Sequence, residues 1–350
     1  MTTEMTWRKK TILLTGAAGV VGRALIDELA PDFDIVCMRH RTPVADVRVS
    51  EFGGSFDEPR LGMSADDYAV LVRRVDAIVH AAAATSWKED PARIREVNLG
   101  GPTALLRLAE QASVPLYFLS TAFVANPPAA NGHSPGAAAY VHSKIEAEEL
   151  VRSHPAASVI LRPSIITGDS VDGRMSQFQG IHAVLGAIVR GAAPMIPMPA
   201  DALIDFVPQD LVAAVIGKLL REGVETGEFW LTAGDQSLNA RDIMDLCMGL
   251  AAELGLATKE PRLIPTEAVD RLIIPLLEDS LPPKLAAKFR DLLEFSWLFQ
   301  SAEPLPNSLP ELGFGKQIEK DALHRAAYNS MYYWARVKGL APADGKVRVA

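Results

Sequence analysis

Residues 15–22 read TGAAGVVG and decide the fold of this chain. The run follows an apolar, strand-like segment and leads into a helical apolar pattern over residues 20–29, which is the setting of a glycine-rich nucleotide loop. Gly16 permits the tight turn, Gly19 lets the backbone approach a pyrophosphate, and Gly22 lets the helix and the strand pack closely. The expected cofactor contacts of the loop, at the N-terminus of the helix, are Gly16, Ala18, Gly19, Val20, Val21 and Gly22.

Short apolar runs and longer helical patterns alternate through the first half of the chain. This alternation predicts a parallel sheet that is covered by helices on both faces. The predicted strands are residues 11–15, 33–38, 76–83, 116–120 and 158–161. The predicted helices are residues 20–29, 64–74 with Ser64 as the N-cap, 91–111 and 140–153. The predicted fold class is therefore α/β, a Rossmann-type doubly wound parallel sheet with a smaller, mostly helical C-terminal substrate lobe.

The character of the chain changes after the fifth predicted strand, where glycine, methionine and proline become frequent. Residues 203–207 nevertheless have the pattern of a strand that returns to the main sheet. Asp210 stands where the helix that follows needs an N-cap. The expected division is a dinucleotide-binding domain, residues 1–165 with 203–234, and a substrate lobe, residues 166–202 and 235–350.

The composition is that of an ordinary globular chain. Of 350 residues, 49% are hydrophobic and 22% are charged, and the formal net charge is −8. A surface of this sign repels phosphate backbones and anionic headgroups, so we expect no nucleic-acid or membrane-surface partner. A polar N-terminus and the lack of an apolar run of about 18 residues predict a cytoplasmic protein without a signal peptide or membrane span. Cys37 and Cys247 stand apart from other metal-ligand residues, so no metal site is predicted, and a homodimer remains open.

Arg39, His40 and Arg41 follow the second predicted strand. An acidic residue at this strand end favours the free ribose hydroxyl of NAD, whereas arginine suits a 2′-phosphate. We therefore predict NADP, bound as NADPH, with Arg39 and Arg41 as contacts of the phosphate. The alternative is that both arginines are ordinary surface charges.

Tyr140 and Lys144 lie one turn apart on one face of a predicted helix. A tyrosine, whose ordinary pKa is about 10, titrates closer to neutral pH when a cation stabilises its phenolate. We expect the Lys144 ammonium to lower the pKa of Tyr140 in this way, so that the phenol donates a proton as hydride reaches a carbonyl carbon. Thr121, at the end of the preceding strand, is expected to stabilise the charge on the same oxygen.

Five further segments accompany the loop and these three residues: EPRLGMS (58–64), VDAIVHAAA (75–83), LSTAFV (119–124), LRPSII (161–166) and DFVPQDLV (205–212). With them the chain resembles an extended short-chain dehydrogenase/reductase and, within that class, is similar to the acyl-thioester reductases. These are the fatty acyl-CoA reductases and the terminal reductase domains of carboxylic acid reductases and nonribosomal peptide synthetases. The resemblance covers roughly residues 10–220.

The resemblance implies roles for the residues that match its motifs. It places Thr121, Tyr140 and Lys144 on the catalytic positions. The cofactor contacts that it adds are Ala82, Ala83, Asn98, Ser120, Tyr140, Lys144, Pro163 and Ser164. For Asn98, stabilisation of its own helix is the alternative role. The chain departs from the family pattern at Ser55, where an acidic residue usually contacts adenine, and in the short interval between Thr121 and Tyr140.

The resemblance also implies a function, the NADPH-dependent reduction of an acyl thioester to an aldehyde or onward to an alcohol. The substrate would be an acyl-CoA or an acyl group on a separate carrier protein. The enzymatic alternative is an extended family member, including an epimerase, that acts on a hydroxyl or ketone of a sugar, sterol or polyketide, because a fold does not fix its substrate. A non-enzymatic nucleotide sensor is the other class, and the presence of both Tyr140 and Lys144 speaks against it.

Three histidines lie near these motifs. His80 is in an apolar strand and is expected to be a hydrogen-bonded core residue. His142 is on the catalytic helix and is expected to face away from the catalytic tyrosine. His133 could line the pocket, because it lies in the loop before that helix. The apolar side chains of residues 175–198 fit either a substrate tunnel or the core of the lobe.

Overall fold

The computed structural model describes residues 8–128, 135–265 and 298–342. The main strands are β1 (Thr11–Thr15), β2 (Asp34–Arg39), β3 (Val49–Gly53), β4 (Ala77–His80), β5 (Leu116–Leu119), β6 (Ser158–Pro163) and β11 (Gly227–Leu231). They form one sheet in the order β11-β6-β5-β4-β1-β2-β3. Neighbours from β6 to β3 pair in parallel. The α/β fold of Rossmann type that the sequence predicts is confirmed.

The helices of the described residues are α1 (Val20–Leu29), α2 (Ala65–Arg74), α3 (Pro91–Ala112), α4 (Pro135–Ser153), α5 (Gly180–Val189), α6 (Gln209–Glu222), α7 (Ala240–Glu253) and α8 (Lys320–Val337). The remaining strands are short: β7 (Ile165–Thr167), β8 (Met195–Ile196), β9 (Leu203–Ile204), β10 (Phe206–Pro208), β12 (Leu238–Asn239) and β13 (Arg262–Leu263). They pair as β7 with β10, β9 with β12, and β8 with β13.

The middle of the main sheet forms because its strands are apolar on both faces. Every residue of β1, β4 and β5 is buried, as expected for parallel strands that helices cover on both sides. Leu13, Ile78 and Phe118 from these strands share one core cluster with Leu105 of α3 and Ala147 of α4. This packing fixes the strand ends on which the candidate site is built.

Helix α2 begins as the sequence predicts. The Ser64 hydroxyl accepts a hydrogen bond from the backbone N–H of Asp67 at 3.1 Å, which satisfies one of the unpaired donors of the first turn. Asp66 and Asp67 lie in that turn, where the helix dipole favours negative charge. The predicted N-cap at Ser64 is confirmed.

The prediction that residues 203–207 form a strand of the main sheet is wrong. They form β9 and β10, which pair with β12 and β7 in separate two-stranded sheets. The break between them falls at Asp205, whose buried carboxylate accepts hydrogen bonds from the N–H groups of Ala233 and Gly234. A buried carboxylate needs such donors, and they are not available to it in a continuous sheet ladder.

Several predicted boundaries also need correction. Asp210 is not an N-cap, because α6 begins at Gln209 and the Asp210 carboxylate accepts from the N–H and hydroxyl of Ser170 instead. Helix α4 begins at Pro135, before Tyr140. Strands β3 and β11 had no counterpart among the predicted elements, since both are short and partly exposed edge strands.

Contacts divide the chain into two compact units. The first unit comprises Met1–Val124, Ala139–Arg162 and Val212–Phe229, and the second comprises Ala125–Ala138, Pro163–Leu211 and Trp230–Ala350. The glycine loop belongs to the first unit. Helices α5, α7 and α8 and the two-stranded sheets belong to the second. Within the described ranges, no helix has the length and apolar character that crossing a membrane requires.

Both cysteines are buried and unpaired. Cys37 lies in β2, as predicted, and Cys247 lies in α7. Burial raises the pKa of both thiols to about 12, so neither forms a thiolate at neutral pH. The described residues contain no cluster of three or more side chains suited to hold a metal ion.

Candidate active site

The glycine loop joins β1 to α1 and lies against the end of β4. Gly16 has a φ of +74°, and a Cβ there would lie 2.6 Å from backbone atoms of Ala81 and Ala82. A Cβ at Gly22 would lie 2.1 Å from the Gly16 carbonyl oxygen. Glycine is therefore required at both positions, since no side chain fits. The Gly19 amide closes the turn by donating to the Gly16 carbonyl at 2.9 Å.

Helix α1 starts directly after this turn, with Gly19 as an N-cap that provides no side-chain hydrogen bond. The N–H groups of its first turn can therefore bind an anion. Val20 and Val21 are buried and can meet a cofactor only through their backbone, whereas Ala18 is half-buried. The loop thus fits the pyrophosphate of a dinucleotide, both in the space that its glycines leave and in its unpaired donors.

Arg39 closes β2 at the edge where the adenosine end of a dinucleotide binds in such folds. Its Nε lies 3.4 Å from a carboxylate oxygen of Glu51 on β3. The second carboxylate oxygen of Glu51 accepts from the Val44 N–H at 2.9 Å. Arg41 lies two residues further on and is exposed. Glu51 therefore offsets part of the positive charge that the sequence placed at this strand end.

The end of β4 carries His80, which is 2% exposed. Its Nδ1 shares a hydrogen bond with the Thr15 hydroxyl at 2.7 Å, and its ring packs against Phe56 and Phe118. Burial, helped by the nearby Lys144 charge, lowers the pKa of His80 to about 3. The predicted core role of His80 is confirmed. The half-buried Ala82 and Ala83 follow it at the strand end.

Asn98, on α3, is buried and uses its side-chain amide on protein groups. Its Oδ1 accepts from the Ala84 N–H at 2.8 Å, and its Nδ2 donates to the Ala84 carbonyl at 3.1 Å. Nδ2 also donates to the Ser143 hydroxyl at 2.9 Å, and that hydroxyl donates to the Tyr140 carbonyl at 2.7 Å. Asn98 thus connects the segment after β4 to α4. Sequence reasoning missed Ser143, whose signal was its position three residues after Tyr140.

Thr121, Tyr140 and Lys144 come together at the end of β5. Thr121 is buried two residues beyond the strand, and its hydroxyl acts on the Tyr140 phenol in the direction that lowers the pKa of that group. Lys144 lies one turn further along α4 and is also buried. Its Nζ donates to the Leu119 carbonyl at 2.8 Å and lies 4.8 Å from the centre of the Phe118 ring. The structure therefore gathers the three predicted catalytic side chains.

The ionisation of this trio differs from the expectation. Burial raises the pKa of Tyr140 to about 12, and the hydrogen bond with Thr121 only partly opposes that rise. The predicted lowering of the Tyr140 pKa by Lys144 is wrong for this structure, because desolvation of the phenolate raises that pKa and only Thr121 opposes the rise. Burial also lowers the pKa of Lys144 to about 8, against the opposing charge of Glu148. A phenol that stays protonated at neutral pH is the form that can donate a proton to a carbonyl oxygen.

The remaining predicted contacts lie at the ends of β5 and β6. Ser120 is buried, its N–H donates to the Leu161 carbonyl at 2.8 Å, and its hydroxyl meets no hydrogen-bond partner among the described residues. A buried hydroxyl of this kind is one that a bound cofactor can satisfy. Pro163 closes β6, and Ser164, the next residue, is buried in the second unit.

The sequence also pointed to His142, Ser55 and His133. His142 is half-buried on α4. The half-buried Ser55 accepts from the Asp57 N–H at 3.3 Å, so its hydroxyl is engaged within its own loop. His133 lies outside the described residues, and its role stays a prediction.

Known proteins share both the sequence pattern and the fold. The profile of the male sterility protein family matches residues 36–216, more than half of the chain. The highly reducing polyketide synthase calA of Penicillium decumbens is 28% identical over an alignment of 230 residues, and the match covers 57% of this chain. The matched part is 8% of that synthase, so this chain corresponds to a small portion of a much longer relative.

Two solved reductase domains have the same fold. The terminal R domain of the myxalamid PKS-NRPS pathway superposes with a TM-score of 0.70 and 24% identity, covering 97% of this chain and 94% of that one. The R domain of a nonribosomal peptide synthetase from Mycobacterium tuberculosis gives a TM-score of 0.65 and 20% identity, with coverage of 95% and 93%. The family match shows that the chain belongs to the male sterility protein family, and its fold is that of the solved R domains.

Proposed function

We propose that this chain reduces an acyl thioester to an aldehyde with NADPH. The observation that carries the proposal is the grouping of Thr121, Tyr140 and the buried Lys144 at the strand ends that also hold the glycine loop. Membership of the male sterility protein family supports a reductase. The likeness to R domains of carrier-dependent synthetases supports a substrate presented as a thioester, on a separate carrier protein or on CoA.

The residues of the trio have distinct tasks in this reaction. When bound, the nicotinamide supplies a hydride to the carbonyl carbon of the thioester. Thr121 and Tyr140 donate hydrogen bonds to the carbonyl oxygen and stabilise the negative charge that develops there, and Tyr140 transfers its proton to it. The resulting hemithioacetal then loses its C–S bond and its hydroxyl proton, so that the products are an aldehyde and a thiol. The Lys144 ammonium favours the phenolate left on Tyr140 until solvent returns the proton.

The choice of NADPH rests on Arg39, the last residue of β2, and on Arg41. Arg39 and Arg41 offer positive charge at the edge where a 2′-phosphate would lie. Because Glu51 offsets part of the Arg39 charge, Arg41 is the less encumbered contact. Substituting both arginines by alanine is expected to raise KM for NADPH about tenfold, with a much smaller rise for NADH, since one charge-assisted phosphate contact contributes roughly 1.5 kcal/mol. Equal rises for the two cofactors would contradict the assignment.

The second unit, which includes most of residues 166–202 and 235–350, is proposed as the substrate lobe. It contains a small apolar cavity of about 30 Å³. Ile181, Leu185 and Met198 line it together with Ile243 and Met244 of α7. A lining without polar side chains favours contact with an aliphatic group over a sugar, which would need hydrogen-bonding partners.

The direct test is NADPH oxidation by the purified protein with a series of acyl-CoAs and carrier-bound acyl chains. We expect turnover, and Tyr140→Phe is expected to reduce kcat by about 10²–10⁴-fold because the proton donor is lost. Phe fills the same space, so NADPH binding by the variant serves as the control for an intact site. A protein that oxidises no NADPH with any thioester, but reduces NADP with hydroxylated sugars or sterols, would overturn the proposal in favour of an alcohol dehydrogenase.

A further inference from the structure

Lys144 is buried among groups that carry little charge. From β5 it meets the Phe118 ring and the Leu119 carbonyl. From β4 it faces His80, which burial keeps neutral. On its own helix it has Tyr140 on one side and Glu148 on the other. The Glu148 carboxylate is thus the anion that acts on the Lys144 ammonium.

Tyr140, Lys144 and Glu148 recur every fourth residue along α4. Such spacing places side chains in one stripe on a helix, and the stripe faces the sheet, since Lys144 and Glu148 are each 3% exposed. A glutamate is rarely buried without a specific partner. The mechanism described above has no use for a carboxylate at this position, so its burial needs another explanation.

The partner of Glu148 is Arg162 of β6. The two Glu148 oxygens accept from Arg162 Nε at 2.8 Å and Nη2 at 2.7 Å, and both side chains are 4% exposed. This two-point contact fixes orientation as well as distance. Helix α4 therefore cannot rotate about its axis without breaking a buried ion pair, which also fixes the direction in which Tyr140 and Lys144 point.

Two further charges complete the cluster. Glu228 of β11 accepts from Arg162 at 2.5 Å and from Arg152 of α4 at 2.6 Å. Arg152 also donates to Glu148 at 2.6 Å. Two arginines and two glutamates sum to zero charge, so the cluster as a whole is tolerated at the sheet. Within the cluster, Glu148 is the carboxylate that lies one turn from Lys144 on the same helix. Arg162 contacts Glu148 from strand β6.

We propose that Glu148 is a positioning residue that Arg162 holds in place, and that it orients the catalytic stripe of α4 and keeps a negative charge one turn from the Lys144 ammonium. The inference rests on the proposed function for the task of Lys144. It extends that function by one residue, which touches neither substrate nor cofactor.

Substitutions of opposite electrostatic sign separate this role from a purely structural one. Glu148→Gln removes the anion beside Lys144, so the ammonium should lose its proton at lower pH. Arg162→Gln removes the competing cation and leaves the carboxylate near Lys144, with Arg152 still paired to it, so the proton should be lost at higher pH. Glu148→Asp keeps the charge with altered geometry. The matched control is Glu146→Gln, which removes an exposed carboxylate of the same helix that pairs with Arg95.

The readout is the dissociation constant of NADPH, followed by its fluorescence between about pH 6 and 10, around the ordinary range of a buried lysine. No thioester is required, and the pH profile of kcat is a second readout. We expect the alkaline limb of both profiles to move down by about one pH unit in Glu148→Gln, to move up in Arg162→Gln, and to stay in place in Glu146→Gln and Glu148→Asp.

Uniform weakening at every pH, or limbs that move in the same direction in Glu148→Gln and Arg162→Gln, would overturn the inference and leave the pair a structural contact only. If Glu148→Gln does not fold, the upward shift in Arg162→Gln decides, and its absence overturns the inference equally. A wild-type protein that is inactive on every thioester would refute the proposed function, but the NADPH profiles would still test Glu148.

Discussion

Two buried ionisable side chains, Lys144 in the first unit and Asp205 in the second, have opposite surroundings. The Asp205 carboxylate accepts from the N–H groups of Ala233 at 2.8 Å and Gly234 at 2.9 Å, and from the Ser237 hydroxyl at 2.9 Å. The Lys144 ammonium has three protons to donate, and the described residues provide one acceptor, the Leu119 carbonyl. One charge is saturated by its protein partners and the other is not.

Burial acts on both groups in the same sense. It raises the pKa of Asp205 and lowers that of Lys144, and so favours the neutral form of each. The difference lies in how many further hydrogen bonds each group can make. A saturated carboxylate holds a loop together and has little left for chemistry, whereas an ammonium with unused donors can bind a cofactor or a phenolate. Hydrogen-bond saturation, rather than burial alone, separates the structural charge from the functional one.

The largest effect is expected at Lys144. Lys144→Met fills a similar volume without charge, and we expect kcat to fall by about 10²-fold or more, because the phenolate left on Tyr140 after proton transfer loses the ammonium that favours it. Stability should change by no more than about 1–2 kcal/mol, since relief from desolvation offsets the single lost hydrogen bond. Parallel measurements of kcat and of the urea unfolding midpoint test both parts. A variant that is strongly destabilised but keeps the kcat of the wild type would reverse the comparison.

The next effect is expected at Asp205 and is of the opposite kind. Asp205→Ala leaves three buried donors unpaired and should cost about 3 kcal/mol of unfolding free energy. NADPH affinity of the folded fraction should remain that of the wild type, because the glycine loop belongs to the first unit. Asp205→Asn, which keeps an acceptor, is the matched variant and should lose less. Stability equal to wild type in Asp205→Ala would show that the Asp205 carboxylate does not stabilise the loop whose N–H groups it binds.

The smallest effect is expected at Glu228, which is 41% exposed and extends the comparison to a partly solvated carboxylate. Hydrogen bonds from Arg152 and Arg162 lower its pKa from 4.5 to about 2. Because the folded pKa is depressed, the stabilisation is complete above the unfolded value and is lost as pH falls from 4.5 towards about 2. Glu228→Gln should therefore flatten the fall of the thermal midpoint over this acid range. Solvent screening keeps the change small, and an unaltered acid profile would contradict it.

The sequence predicted those parts of the fold that neighbouring residues determine. The turn at Gly16 and Gly22, the cap at Ser64 and the one-turn spacing of Tyr140 and Lys144 are all local patterns. Fully buried strands such as β1 are visible because both of their faces are apolar. The edge strands β3 and β11 lack that signal, since nine of their ten residues are at least partly exposed.

What the sequence did not predict depends on distant partners. The strand break at Asp205 is caused by donors 28 to 32 residues further along the chain. The pairing of Arg162 of β6 with Glu148 of α4 and Glu228 of β11 joins a helix to two strands, and no spacing rule identifies it. The direction of the Tyr140 pKa was missed because the helix pattern shows where a lysine stands but not how deeply the hydroxyl is buried.

The link between Asn98 and Ala84 has a consequence for the loop between Ala84 and Asp90. The Asn98 side-chain amide pairs with both the N–H and the carbonyl of Ala84, as a backbone amide does in a β-ladder. It thereby joins the two ends of the segment 85–97. Because Asn98 also contacts Ser143 of α4, the position of α4 depends on these hydrogen bonds rather than on the path of residues 85–90. We therefore expect a change in the length of the loop between Ala84 and the N-cap Asp90 to leave the link from Ala84 to α4 intact.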